Sequence, residues 1–340
     1  MIVYITPFLL YFFCIVAFRR LIPFLKKMSL IDYPTERSNH TGIVPKGAGI
    51  LIMGLFIFSI SIALIFSNVF NLQWIIFILA LVILFIVSLI DDLKSLSAPL
   101  RLFFHFFSVI ISIFALRNEI IFFSQQNILS WINYNPQVIF CFIFLILALI
   151  WVWIINLFNF MDGMDGLTCF QILLLAVTIN ILSVLGLIDE QFQYVSLILI
   201  SLFLAFLKFN FPPAKIFLGD VGSIPLGYIT GLILIKVLLN GEAIIPILII
   251  LLFHFSDSTL TLIIRLIKKR NIMIAHSDHF FQKIIRTGQT HYQVLKKIIF
   301  LFIILFFLSM LSIYYPFLSL ALGIFFTTVF LYYIHMVSKK

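Results

Sequence analysis

The chain has 340 residues, of which 63% are hydrophobic and only 10% are charged, and its formal net charge is +9 at pH 7. Soluble domains are close to half apolar, so this composition excludes a soluble globular protein. The basic residues are spread beside apolar stretches instead of being gathered in one polar module, which argues against nucleic-acid binding. We therefore interpret the chain as an integral membrane protein.

Apolar stretches long enough to cross a bilayer recur along the whole chain, since a spanning helix takes about 20 residues. A β-barrel would need strands of alternating polarity, whereas a run such as 143–155 is apolar on every side. The first stretch has no basic residue before it and no small-residue cleavage site after it, so we interpret it as a span and not as a signal peptide. We predict an all-α polytopic membrane protein, a single domain over residues 1–340, with spans at 2–23, 47–68, 72–90, 99–116, 137–156, 167–187, 191–208, 223–239, 243–264, 295–314 and 316–337.

The basic residues also predict the orientation. If the eleven spans alternate, one face of the membrane receives every Lys and Arg except Arg117 and Lys236. Short loops rich in Lys and Arg stay in the cytoplasm. We therefore predict an external N-terminus and a cytoplasmic C-terminus, and the same face carries nearly all the polar residues considered below.

The first candidate group is the adjacent pair Asp91 and Asp92, where the third span meets water. The simple interpretation is a solvated helix end. Acidic residues beside a bilayer are costly, however, and are rarely idle. Such pairs hold Mg²⁺ or accept a proton in phosphoryl transfer, so the pair is a candidate catalytic group.

The second group is the segment that contains Asn159, Asp162, Gly163, Asp165 and Gly166, with two Asp-Gly steps between spans. Asp-Gly alone is common turn chemistry. Glycine also allows backbone amides to approach a ligand closely, and carboxylates can bond to ribose or base groups. Two copies three residues apart favour a ligand-binding loop over a plain turn.

The third group precedes the eighth span and comprises Asn210 and the sequence Gly219-Asp220-Val-Gly222-Ser223. Free N–H groups at a helix start attract an anion, and Asp220 is placed to hold a divalent cation beside it. Ser223 as an ordinary N-cap is the simple interpretation, and both can hold together.

The fourth group lies in the basic connection 265–297, which contains Arg265, His276 and His279. It is typical of an interfacial segment that meets anionic headgroups. A His-x-x-His pair on one helix face could hold Zn²⁺, but phosphate binding suits the cationic surroundings better. Asp257, about 12 Å inside the ninth span at 1.5 Å per residue, needs a partner, and the candidates are His254, Arg101 and His105.

In their order along the chain these segments resemble the polyprenyl-phosphate N-acetylhexosamine-1-phosphate transferase superfamily, which includes the enzymes that initiate O-antigen synthesis. The resemblance covers Asp32 to Gln282. Its motifs are Asp32-x-Pro34-x-x-Arg37-x-x-His40, Pro45-Lys46-Gly47-Ala48-Gly49, Asp91-Asp92, Asn159 to Leu167, Phe217-Leu-Gly-Asp220-x-Gly-Ser223 and His276-x-x-His279-x-x-Gln282.

The resemblance implies transfer of a sugar 1-phosphate from a UDP-N-acetylhexosamine to undecaprenyl phosphate, with release of UMP, at the cytoplasmic face of a bacterial inner membrane. It implies Mg²⁺, or Mn²⁺, bound by Asp220 with support from Asp92, and Asp91 as the base. The remaining roles it implies are nucleotide binding by Lys46, Asn159, Asp162, Asp165 and Asn210, and sugar or diphosphate contacts by Arg265, His276 and His279. The expected partners are the two substrates and the lipid bilayer, with no nucleic acid; a homodimer is compatible with the sequence.

Two alternatives stay open. A polytopic transporter of an anionic or lipid-linked substrate is the rival to an enzyme, although transporters usually place polar groups near the midplane and show repeats. Within the enzyme class, the donor is UDP-N-acetylglucosamine or a 6-deoxy sugar such as a fucosamine or quinovosamine derivative. The histidine motif favours an O-antigen initiator, and the absence of consecutive histidines argues against a peptidoglycan substrate. We predict a single displacement, since the loops carry no evident nucleophile other than a carboxylate.

Overall fold

The structure is a computed structural model that describes residues 2–28, 30–33, 42–67, 69–127, 136–271 and 276–339. These residues form helices α1 (Ile2–Lys27), α2 (Ala48–Phe66), α3 (Leu72–Lys94), α4 (Ala98–Ala115), α5 (Arg117–Asn127), α6 (Pro136–Met161), α7 (Leu167–Val184), α8 (Gln191–Asn210), α9 (Asp220–Leu239), α10 (Ile245–Ile267), α11 (Phe280–Ile285), α12 (His291–Leu311) and α13 (Pro316–Val337), with short strands β1 (Ile31–Asp32) and β2 (Val44–Pro45).

The predicted spans are confirmed: eleven of the described helices, all except α5 and α11, are long and apolar enough to cross a membrane. Their ends differ from the prediction because helices continue into polar sequence once they leave the apolar stretch. Thus α3 runs to Lys94 and carries Asp91 and Asp92 in its last turns, and α9 begins at Asp220 and not at residue 223. The assignment of the basic face to the cytoplasm stays a prediction.

Helix α9 lies at the centre of the bundle, with almost every residue buried between α2, α3 and α6. Gly227 and Gly231, one turn apart, allow this packing, because a Cβ atom on Gly231 would lie 2.2 Å from Cδ1 of Trp151. Small residues at this spacing let two membrane helices approach closely. The contact is completed by Trp151 Nε1, which donates to the carbonyl oxygen of Tyr228 at 2.9 Å.

Backbone hydrogen bonds join the connection between α1 and α2 to the connection between α8 and α9. β1 pairs with β2 in antiparallel fashion, and Lys46 then bridges to Phe217 in parallel fashion. Gly49 and Gly222 bring the starts of α2 and α9 into backbone contact, since a Cβ on Gly49 would lie 2.3 Å from the nitrogen of Gly222. Three residues of the first-loop motif, Pro34, Arg37 and His40, lie outside the described residues.

We expect Gly231→Ala to lower the thermal unfolding midpoint of the detergent-purified protein, because overpacking a well-filled interior costs about 1–3 kcal/mol. Gly54→Ala in α2 is the matched control, since a Cβ at Gly54 meets nothing within 4 Å and alanine favours a helix. Equal midpoints for the two variants would contradict the close packing of α9 on α6.

Candidate functional site

The start of α9 is capped by a carboxylate from another helix. Gly219, the residue before α9, has no side chain to serve as a cap and has a φ of 81°. Asp92 takes that place: its Oδ2 accepts from the backbone N–H of Val221 at 2.9 Å, and its Oδ1 lies 3.3 Å from the nitrogen of Asp220. A carboxylate at a helix N-terminus is stabilised by the free N–H groups and the helix dipole. The simple interpretation of Ser223 as the N-cap is therefore wrong.

Three carboxylates and two cations converge at this point, and we call them the acidic junction: Asp91, Asp92, Asp220, Lys46 and Arg101. Lys46 Nζ lies 2.6 Å from Asp92 Oδ1 and 3.9 Å from Asp220 Oδ1. Arg101 NH1 lies 3.1 Å from Asp91 Oδ2 and 3.6 Å from Asp220 Oδ2. Asp220 thus lies between two cations, each of which is bound more closely to one member of the Asp pair.

The carboxylates of the junction differ in how far their oxygens are already used. Both oxygens of Asp91 are occupied, one by Arg101 and the other by the backbone N–H of Leu96 at 2.6 Å. Asp92 is occupied by Lys46 and the start of α9. Asp220 has the two longer ion-pair contacts and lies within hydrogen-bond range of the Asp91 carboxylate, and its side chain is 24% exposed. Asp220 is therefore the carboxylate of the junction best able to contact a ligand.

The charge state of Lys46 is fixed by the junction. Burial disfavours its ammonium, but the carboxylates of Asp220 and Asp92 outweigh that effect and raise the pKa of Lys46. The side chain stays a cation at neutral pH, and it is 34% exposed. It can therefore offer positive charge to an anion that approaches Asp220.

Oxygen donors of this kind fit Mg²⁺, which is commonly held by one or two carboxylates and completed by water and substrate phosphates. Within the described part of the chain, no three His, Cys, Asp or Glu side chains are arranged as a finished metal cage. The available oxygens of Asp220 meet the first condition. The metal itself stays a prediction.

The segment 159–166, which we call the linking segment, joins the acidic junction to the rest of the site. Asn159 Nδ2 lies 3.3 Å from the hydroxyl of Ser223 in α9. Asp162 accepts a hydrogen bond from Thr168 at 2.7 Å. Desolvation by the surrounding protein, opposed by this bond and reinforced by Asp220, raises the pKa of Asp162 to about 7.

Asp165 and Asn210 bind the protein's own backbone. One oxygen of Asp165 accepts from the N–H of Ala214 at 3.0 Å, and the other lies 3.0 Å from His291 Nδ1. Asn210 accepts from the N–H of Gly166 at 2.9 Å and donates to the carbonyl of Ile216 at 3.0 Å. Both side chains therefore hold two connections in register, and their predicted contacts with a nucleotide stay predictions.

Asp257 has a different partner from the three that the sequence suggested. It is completely buried, and its Oδ1 lies 3.0 Å from His279 Nδ1. His254 and His105 are buried with neither ring nitrogen hydrogen-bonded within the part of the chain that the structure describes. Arg101 belongs to the acidic junction. The expectation that one of these three neutralises Asp257 is wrong.

The other residues of the fourth group surround this pair, and we call the set the histidine cluster: Asp257, Arg265, His276, Asp278 and His279. Arg265 donates to Asp278 and, at 2.6 Å, to the carbonyl of Asn271. The rings of His276 and His279 stack with centroids 5.2 Å apart. Burial, His279 and Arg265 lower the pKa of His276 to about 4, so that ring is neutral.

The histidines precede α11 and do not lie on it, so the interpretation of His-x-x-His as one helix face is wrong. His279 is instead the N-cap residue of α11. Helix α11 meets the linking segment directly, since a Cβ on Gly163 would lie 3.2 Å from Phe281 and 3.4 Å from Gln282 Nε2. The linking segment thus contacts α9 at one end and α11 at the other.

Sequence reasoning missed the place of Arg101 in the site. The signal was available, because only residues 95–97 separate the helix that carries Asp91 from α4, which carries Arg101. Asp278 and Thr168 were also missed as partners of Arg265 and Asp162. Beside the linking segment, a cleft of about 980 Å³ is lined by residues that include Asp165, Phe211, Phe217, His291 and Tyr292.

Asp162 gives a pH-dependent contribution to stability whose sign follows from its pKa. The folded value of about 7 exceeds the value of ~3.9 for an aspartate in an unfolded chain. The contribution is therefore complete below pH ~4 and is lost as the pH rises through 7. We expect Asp162→Asn, which lacks this titration, to gain stability relative to the wild type between pH 5 and 8, measured as thermal unfolding midpoints. Unfolding midpoints that change with pH in the same way in Asp162→Asn and the wild type would contradict this environment for Asp162.

Comparisons with known proteins identify a family profile and curated relatives that the chain resembles. The sequence profile of glycosyl transferase family 4 matches residues 74–238, from α3 to α9. The chain is 28% identical over 275 residues, 78% of this chain and 72% of the relative, to a probable undecaprenyl-phosphate N-acetylglucosaminyl 1-phosphate transferase of Bacillus subtilis. It is 29% identical over 248 residues, 67% of this chain and 70% of the relative, to a phospho-N-acetylmuramoyl-pentapeptide-transferase of Lactococcus lactis.

The fold and site define a multi-pass membrane protein whose charged groups converge where α3 meets the start of α9. The family profile and these relatives support the polyprenyl-phosphate hexosamine-1-phosphate transferase superfamily, glycosyl transferase family 4, as the family that this chain resembles. The predicted resemblance is thereby confirmed, and a sugar-phosphate transferase is favoured over a transporter.

Proposed function

We propose that this protein transfers N-acetylhexosamine 1-phosphate from a UDP-sugar to undecaprenyl phosphate and so begins the assembly of a lipid-linked cell-envelope polysaccharide. The observation that carries the proposal is Asp220, which lies between Lys46 and Arg101 at the buried start of α9. Both substrates are anions, and the reaction exchanges one phosphoanhydride for another. The task of the site is therefore to bring two negative groups together.

The two cations suit this task. Lys46 and Arg101 lie on opposite sides of Asp220, and each is about one third exposed. Each can keep its Asp partner while it contacts a phosphate oxygen, since an ammonium has three donors and a guanidinium has five. Fixed cations aimed at a transferring phosphoryl group stabilise the charge that develops there.

Mg²⁺ held by Asp220 would supply further positive charge at the diphosphate. The oxygens of Asp92 already hold Lys46 and the start of α9, so Asp92 would support the metal by fixing the groups that surround Asp220. The proposed base, Asp91, is bound to Arg101 and to the N–H of Leu96. A phosphate monoester has its second pKa near ~6, so at neutral pH the acceptor is largely ionised and needs little help from a base.

In the proposed single displacement, an oxygen of the lipid phosphate attacks the phosphorus next to the sugar, and the bond from that phosphorus to UMP breaks. Lys46 and the linking segment would bind the nucleotide, with Asn159 and Asp162 facing the junction. The cleft beside Asp165 offers space at the same face of the protein. The histidine cluster would then meet the sugar end of the donor.

The donor and pathway are the finer parts of the proposal. The histidine motif favours an O-antigen initiator, which is why 6-deoxy sugars belong among the candidates. The relatives are named for N-acetylglucosamine 1-phosphate transfer and for phospho-N-acetylmuramoyl-pentapeptide transfer. UDP-N-acetylglucosamine fits both the first of these relatives and the histidine motif, so it is the first donor to test.

The experiment is an assay of UMP release by the detergent-purified protein with undecaprenyl phosphate, Mg²⁺ and a panel of donors: UDP-N-acetylglucosamine, two UDP-linked 6-deoxy-N-acetylhexosamines and UDP-N-acetylmuramoyl-pentapeptide. We expect release with one N-acetylhexosamine donor, and only when both lipid and metal are present. Release with the pentapeptide donor alone would move the protein to peptidoglycan synthesis. No release from folded protein with any donor would contradict the transferase.

Two isosteric variants separate the roles of the Asp residues in the same assay. Asp220→Asn should reduce activity by about 100-fold or more with a nearly unchanged unfolding midpoint, because the Asp220 side chain caps no helix and its contacts with Lys46 and Arg101 are the longer ion pairs of the junction. Asp92→Asn should reduce both activity and the unfolding midpoint, because it weakens the cap on α9 and the bond to Lys46. The same effect of both variants on stability would contradict this division of roles.

A further inference from the structure

The Asp257–His279 pair has geometry that a structural ion pair alone does not require. Asp257 Oδ1 lies 3.0 Å from His279 Nδ1 and 3.1 Å from the backbone nitrogen of Phe280, and Oδ2 lies 3.1 Å from that of Phe281. One carboxylate therefore holds both the ring and the start of α11. Thr261, one turn further along α10, adds a weaker bond at 3.3 Å.

This arrangement fixes both the orientation and the proton of the imidazole. A neutral histidine carries its proton on one nitrogen, and a carboxylate beside Nδ1 keeps the proton there. Nε2 is then the ring nitrogen with a lone pair. The ring cannot turn freely, because Phe160, His276 and Phe281 lie against it with centroid distances of 6.1, 5.2 and 5.8 Å.

The ring also lies beside the linking segment. Phe160 belongs to that segment, and Gly163 contacts α11 through Phe281 and Gln282. The segment touches α9 at its other end through Asn159 and Ser223. In the proposed function the diphosphate of the donor lies at the acidic junction and its sugar at the histidine cluster, so the sugar would lie beside His279, where the ring contacts Phe160.

We propose that Asp257 is a positioning residue for sugar recognition: it fixes His279 so that Nε2 accepts a hydrogen bond from a hydroxyl or amide N–H of the donor sugar. The proposal rests on the proposed function, since it names the part of the donor that the histidine cluster reads. Asp257 is therefore expected to affect the binding of the donor's sugar and not the binding of its nucleotide. An oriented bond of this kind is worth about a tenfold change in affinity.

The test compares the KM for the sugar nucleotide with the inhibition constant of UDP, which has the same nucleotide but no sugar. In Asp257→Asn one carboxylate oxygen becomes an NH₂ group, which cannot accept a hydrogen bond. The side chain can then no longer hold His279 Nδ1 and the N–H groups of Phe280 and Phe281 together. We expect the KM to rise about tenfold in this variant while the UDP inhibition constant stays unchanged. Thr261→Val is the matched control, because it removes a bond to Asp257 without touching His279, and it should behave as the wild type does.

His279→Asn gives an independent measurement if Asp257→Asn fails to fold. Its amide keeps a donor near the position of Nδ1 but has no group at Nε2, so we expect the same rise in KM. The unfolding midpoint should fall, because the ring no longer fills its place between Phe160, His276 and Phe281. The double variant should show no further rise, because both changes remove one interaction.

Three results would overturn the proposal: an unchanged KM in the single variants, a rise in the UDP inhibition constant equal to the rise in KM, or additive effects on KM in the double variant. A wild-type protein inactive with every donor would contradict the proposed function instead, before any variant is compared. The two failures are therefore distinguishable.

Discussion

The carboxylate of Asp92 is the contact on which the site depends. It accepts from the start of α9 and binds Lys46, so one side chain joins the last turn of α3, the segment between β2 and α2, and the central helix of the bundle. A helix start buried in protein leaves N–H groups that must find acceptors. Since Gly219 supplies none, the cap comes from 129 residues earlier in the chain.

The same principle, a buried polar group paired across the fold, shapes the other parts of the site. Asp257 caps α11 from within α10, and Asn210 ties the end of α8 to the linking segment. These contacts hold Asp92, Asp220 and His279 at helix ends. A site built in this way is pre-organised, which favours electrostatic catalysis because little reorientation is needed during the reaction.

Much of the fold could be predicted because span length follows directly from bilayer thickness. The positions of Asp91, Asp92 and Asp220 at helix ends followed from where apolar sequence stops. The contacts between distant side chains could not be predicted in the same way, because they depend on how the helices pack. No periodicity links Asp257 to His279, 22 residues later, or explains the contact of Gly49 with Gly222. For the same reason Arg101 was considered for Asp257, although the short link from α3 to α4 places it beside Asp91.

The role of the acidic junction is tested most directly by a cryo-EM structure of the protein with Mn²⁺ and the UDP-sugar that supports turnover. We predict density for the metal against Asp220, and for the diphosphate between Lys46 and Arg101, with the sugar on the side of the histidine cluster. A nucleotide sugar bound with its diphosphate away from Asp220, at any other part of the molecule, would contradict the junction as the site of phosphoryl transfer.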